Sequence, residues 1–229
     1  MNQKENIIPE ARNLYSALRN SGYSNTAAIG DLIDNSLDAG AKTIKIDIAE
    51  DLKQIYISDD GTGMSIETLK LALRLGGRKV HDNINDLGKY GLGLITASLS
   101  MGTRLRVITR KDGVTNVGIF DYDEVYSSNG FIASFREATN SEILGFNYRT
   151  NNAKSGTVLS IENCDKIQYN DLASFESDLR STIKSTFWAF VQNEREIIVN
   201  NKVALVFLIN TTCILNYCRN YIFLCNFFN

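Results

Sequence analysis

Asp31, Asp34, Asn35 and Asp38 stand close together in the run AAIGDLIDNSLDAG. Plotted at about 100° per residue, Ile29, Leu32, Ile33 and Leu37 share one side, and the polar group falls on the opposite part of the circumference. A solvated face of an amphipathic helix is the plain reading. Two features favour chemistry instead. No Lys or Arg on this helix balances the carboxylates. Asp31 and Asn35 also lie one turn apart, aiming a carboxylate and an amide oxygen toward one point, a pairing that suits a hydrated Mg²⁺ and an activated water.

Three glycine-bearing stretches follow. In IYISDDGTGMS, Asp59, Gly61 and Gly63 come directly after an apolar strand. An ordinary turn would use the same residues. The turn also lets backbone approach a flat ligand, so that a buried Asp59 accepts a hydrogen bond from an exocyclic amine such as that of adenine. In LGKYGLGLITAS, Gly88, Gly91 and Gly93 lead into a helix. Free N–H groups there suit phosphate, and close helix–strand packing is the alternative. The stretch is no P-loop: Asn83 stands where the first glycine should, and Tyr90 replaces Ser/Thr. A dinucleotide-binding fingerprint fails as well, because the strand–glycine–helix order with a later acid is missing. Last, Gly156-Thr157 opens a strand in KSGTVLSIEN, either as a simple turn or as a hydroxyl supporting Asp59.

These residues need elements to hold them. Helices are predicted over 10–20, 25–39 with Gly40 as the stop, 65–75 from a Ser65 cap, 91–101 and 170–193. Strands are predicted over 42–49, 54–58, 103–110, 114–122, 131–136, 157–162 and 196–199. The polar stretch Gly76–Tyr90 reads as a loop long enough to be a lid. Helices mixed with antiparallel-looking strands argue an α+β fold with its sheet covered on one face. There is no internal repeat.

The chain has 229 residues, 44% hydrophobic and 22% charged, enough for one sizeable domain and the start of a second. A net charge of −2 gives no overall basic footprint for nucleic acid or anionic membrane, so nucleic acid stays an open question. One His and four Cys without short metal-type spacing argue against zinc and for a reduced, cytoplasmic setting. No N-terminal apolar run marks a secretory signal. After Lys202 the only charged residue is Arg219. Asn210, Asn216, Arg219 and Asn220 interrupt any window long enough for a membrane span. The preferred reading of residues 201–229 is the truncated start of a further domain.

In order and spacing, the four stretches resemble the N box, G1 box, G2 box and Gly-Thr motif of the GHKL ATPases: gyrase B, heat-shock chaperones, histidine kinases and MutL. The likeness covers residues 10–200, and DLIDNSLDAGAKTIKI is phrased most like MORC-like and MutL-like N-terminal ATPase domains. The resemblance implies a Bergerat fold over residues 1–200, a two-layer α/β sandwich with a mixed, mostly antiparallel sheet. It implies Asn35 as the Mg²⁺ ligand and Asp59 as acceptor for the adenine amine. Gly61, Gly63 and Met64 become the adenine turn, Gly88, Lys89, Tyr90, Gly91, Leu92 and Gly93 the phosphate loop, and Thr157 an adenine-side partner. Asp31 takes the general-base position, where most relatives carry Glu. Asp is one methylene shorter, about 1 Å of reach, a displacement that can cost roughly 10²-fold in rate.

The implied function is slow Mg²⁺-dependent ATP hydrolysis coupled to lid closure and homodimerisation, with an effector or transducer domain as partner. The resemblance also implies a lysine from a following transducer domain to meet the γ-phosphate; within these 229 residues no Lys follows Lys202. A non-hydrolysing, nucleotide-gated binding module is the alternative. A histidine-kinase catalytic domain fits less well, because the one histidine, His81, lies inside the expected lid.

Overall fold

The computed structural model describes residues 10–20, 22–75, 93–188 and 195–206. They form an α+β fold on one eight-stranded sheet of order β5-β4-β3-β6-β2-β1-β7-β8. The strands are β1 (Thr43–Ile48), β2 (Gln54–Asp59), β3 (Gly102–Lys111), β4 (Val114–Asp121), β5 (Ala133–Glu137), β6 (Gly156–Cys164), β7 (Glu196–Val199) and β8 (Lys202–Val206). The β1–β7 pair is parallel and the other pairings are antiparallel, the mixed sheet expected.

Alternation decides β1 and β2. Ile44, Ile46, Ile48, Ile55 and Ile57 all point into the core, and each contributes about 1.5–3 kcal/mol on burial. Packed on that face is α2 (Asn25–Asp38), which begins where the Ser24 side chain accepts the Ala27 N–H. It ends at Gly40, whose positive φ turns the chain into β1. Ala28, Ile29, Leu32 and Ile33 of α2 are buried, as the apolar stripe predicts, with Leu37 only partly so. Around it lie α1 (Ala11–Arg19), α3 (Ile66–Ala72), α4 (Gly93–Leu99) and α7 (Leu172–Phe187). Tyr15 of α1 stacks on Phe120 of β4 with ring centroids 4.9 Å apart, tying this layer to the sheet's far side.

Two helices go beyond the sequence reading. The first, α5 (Tyr122–Ser128), buries only Val125. The second, α6 (Asn140–Arg149), starts with a Thr139–Glu142 capping box and covers part of the opposite sheet face. There Phe146 packs against Ile108, Val117 and Val158 in a second small cluster. Residues 202–206, assigned from sequence to the tail, pair with β7 as β8. No helix among the described residues is long and apolar enough to cross a membrane.

Candidate nucleotide-binding site

The end of β2 delivers Asp59 to the base of α2. The carboxylate is 6% exposed and is held from two sides. Ser36 Oγ donates to Oδ2 at 3.1 Å and the Gly61 N–H donates to Oδ1 at 2.9 Å. Burial lifts its pKa to about 6, against the hydrogen bonds from Gly61, Ser36 and the Thr157 backbone, which favour the charged form. A carboxylate this buried, but still ionised at neutral pH, is a strong acceptor for an N–H at the cleft floor.

The turn after Asp59 is locked to its surroundings. Thr62 N–H donates to Ala39 O at 3.0 Å, and Ser155 Oγ to Gly61 O at 2.8 Å. Gly63 has φ +62, and a Cβ there would lie 1.9 Å from Arg110 O, so the backbones touch where no side chain fits. Gly156 faces the same limit, at φ +146 with a Cβ 2.1 Å from Asp59 O. Thr109 of β3 joins the pieces. Its hydroxyl accepts the Met64 N–H at 2.8 Å and donates to Gly156 O at 3.1 Å. The Thr157 hydroxyl, 3.2 Å away, therefore donates to Thr109. Thr157 lies directly opposite Asp59 in the β2–β6 register. It supports the carboxylate through its backbone amide, with its hydroxyl engaged by Thr109.

Above this floor is a cleft of about 240 Å³. Leu32, Ala39, Met64, Ala72, Leu94 and Leu159 give it apolar walls, and Asp59, Asn35, Ser36 and Thr157 supply the polar groups. Gly93, the first residue of α4, lines it too. A flat heteroaromatic ring with one amine suits such a lining.

The structure thus gathers Asn35, Asp59, Gly61, Gly63, Met64, Gly93 and Thr157 around one cleft. Asp31 is not among the residues lining it. Its carboxylate borders a groove between α2 and α7, and the Tyr23 hydroxyl donates to Oδ2 at 2.8 Å. Asp34 lines the same groove. Its pKa is raised to about 6, first by burial and then by Asp31 and Asp38. The expected phosphate-loop residues Gly88, Lys89, Tyr90, Gly91 and Leu92, and the expected lid Gly76–Tyr90, lie outside the described residues. Sequence reading missed Ser36, Thr109 and Tyr23. Ser36 alone left a signal, as a hydroxyl among the apolar positions of α2 facing the sheet.

For Mg²⁺, the donor set fits. Mg²⁺ takes one or two protein oxygens and fills its remaining positions with phosphate and water. The Asn35 amide oxygen at the cleft can supply one such ligand. Among the described residues no cluster of three or more His, Cys, Asp or Glu forms a self-contained metal cage.

Comparison with known proteins agrees with this geometry. A 108-residue stretch is 32% identical to Protein MICRORCHIDIA 7 of Arabidopsis thaliana, covering 42% of this chain and 15% of that protein. ATPase morc-1 of Caenorhabditis elegans is 34% identical over 91 residues, 38% of this chain and 10% of its own length. DNA mismatch repair protein MutL of Lactobacillus acidophilus is 32% identical over 96 residues, 40% of this chain and 15% of its own. The matched stretches are therefore a small part of each relative. The family profile described as histidine kinase-, DNA gyrase B-, and HSP90-like ATPase matches residues 23–157, more than half of the 229. This chain belongs to that ATPase family.

Proposed function

We propose that this chain binds MgATP in the cleft and hydrolyses it slowly, with Asp31 as general base. The observation that carries the reading is the buried, hydrogen-bonded Asp59 at the floor of an apolar cleft, set to accept from the adenine amine. With the base there, the phosphates run along α2 past Asn35. At 1.5 Å rise per residue, Asp31 lies about 6 Å further along the axis than Asn35, level with a terminal phosphate. Bound Mg²⁺ neutralises charge on the phosphates. Asn35 holds that end of the nucleotide in place, and Leu32 and Leu94 exclude water from the base. Asp31 accepts a proton from a water whose oxygen attacks the γ-phosphorus. The bond to the β–γ bridging oxygen breaks, leaving ADP and inorganic phosphate.

In this reading residues 1–200 form the ATP-binding domain, and residues 201–229 lead toward a transducer or effector segment. Closure over nucleotide and homodimerisation accompany binding, supported by the likeness to MORC proteins and MutL. Wild-type turnover is expected below about 1 s⁻¹, since Asp31 has a shorter reach than Glu.

The test is phosphate release with MgATP in wild type and Asp31→Asn. The variant should fall by about 10²–10⁴-fold while binding ATP normally, because an amide keeps the shape and cannot take the proton. One observation favours a second reading, a nucleotide-gated module without turnover: Asp31 borders the α2–α7 groove rather than the cleft itself. Equal background rates in the two proteins would establish that reading instead.

A further inference from the structure

We infer that Tyr23 is the positioning residue that makes an aspartate serviceable as the base of this ATPase site, an inference that rests on the hydrolysis reading above. Tyr23 stands just before the Ser24 cap of α2, and its hydroxyl reaches two turns along the helix to Asp31 Oδ2 at 2.8 Å. That contact takes one carboxylate oxygen, and in this reading the other faces the attacking water. A carboxylate one methylene short of the usual glutamate cannot extend toward its water, so its rate depends on being held in one direction.

The tyrosine is itself well anchored. Its ring packs against the main core. Its carbonyl accepts Gln168 Nε2–H at 3.3 Å. Two residues on, Asn25 Oδ1 accepts the Gln168 N–H at 2.7 Å, and Asn25 Nδ2 donates to Lys166 O at 3.0 Å. The segment entering α2 is thus clamped to the one after β6, and the hydroxyl is presented from a fixed base. The Tyr23 pKa is raised, first by the hydrogen bond to Asp31, which fits a phenol donating to an ionised carboxylate. A purely structural tyrosine would act through its ring, and phenylalanine would replace it.

The test uses the full chain with four proteins: wild type, Tyr23→Phe, Asp31→Asn and the double variant. Phosphate release at saturating MgATP gives kcat, and calorimetry with a non-hydrolysable ATP analogue gives Kd. Tyr23→Phe should lower kcat about tenfold with Kd within about twofold, the size expected for one hydrogen bond to a charged group. In the Asp31→Asn background the same change should have no effect, because the group it positions is gone. Wild-type kcat in Tyr23→Phe would overturn the inference, as would a raised kcat, which would mean that the hydroxyl restrains Asp31. A fall in affinity parallel to kcat would also overturn it. If wild type and Asp31→Asn turn over equally, the hydrolysis reading fails and the positioning role falls with it. A normal kcat in Tyr23→Phe beside an inert Asp31→Asn defeats the positioning role alone.

Discussion

The two parts of the proposed site are built differently. Where adenine is proposed to bind, Asp59, Gly61, Gly63, Gly156 and Thr157 come from strand ends and tight turns, and Ser36 and Thr109 tie them together. Further along α2, Asn35 is exposed at the cleft, and the half-buried Asp31, which borders the α2–α7 groove, is held by the Tyr23 hydroxyl. Sheet backbone fixes the first region before any ligand arrives. The second is a helix face that carries several carboxylates and no Lys or Arg of its own. In the proposed function, recognition falls to the strand ends and turns, and chemistry to the helix face.

The largest effect that could break this contrast is at Asn35. Asn35→Ala should lose roughly 10²-fold or more in turnover and weaken MgATP binding, since it removes the amide that helps hold the metal-bound phosphates. Single-turnover and binding measurements with and without Mg²⁺ would check it. Loss confined to turnover, with Mg²⁺ dependence intact, would mean that Asn35 is not at the metal.

A second outcome follows from Asp59. Its folded pKa, about 6, lies above the ordinary carboxylate value. The folded state thus holds this proton more tightly, so the group's contribution to stability is full at low pH and is lost as pH rises through about 6. Nucleotide binding should show the reverse slope, because the charged carboxylate is the better acceptor for the amine. Adenosine affinity should be about three- to tenfold lower at pH 5 than at pH 7.5. That slope should vanish in Asp59→Asn. A slope that survives the substitution would belong to another group.

The smallest effect sharpens the picture of the helix face. Asp34 has its pKa raised to about 6 by burial and by the charges of Asp31 and Asp38. Its ionised form opposes folding above that pH, and the cost disappears below about 4. Asp34→Asn should therefore stabilise the nucleotide-free protein at pH 8 by about 0.5–1 kcal/mol, a modest figure because half-exposed groups are screened. No gain is expected at pH 4. Thermal melts at the two values would check both.

What the sequence could reveal follows the same division. The strict alternation of isoleucines made β1 and β2 legible, and Ser65 and Gly40 marked helix ends that the structure keeps, whereas the Ser24 cap emerged only from the structure. By contrast, α6 escaped notice because Phe146 is the only buried residue along it, leaving no apolar stripe. Its Thr139–Glu142 capping box was the available signal. The tail hid β8, since a short edge strand next to an apolar run has no contrast of its own. Within the site, carboxylates and glycines announce themselves by type and spacing. Hydroxyls such as Thr109 and Tyr23 do not, because their partners lie on other strands or turns of helix.

The central claim is that the cleft reads adenine through Asp59, and calorimetry of wild type and Asp59→Asn with MgATP analogue tests it most directly. Wild type should bind. Asp59→Asn should bind about 10–150-fold more weakly, the equivalent of losing a 1.5–3 kcal/mol charge-assisted hydrogen bond, with the fold intact by circular dichroism. Equal affinity in the two proteins would contradict the account, because the buried carboxylate at the cleft floor would then have no part in holding the base.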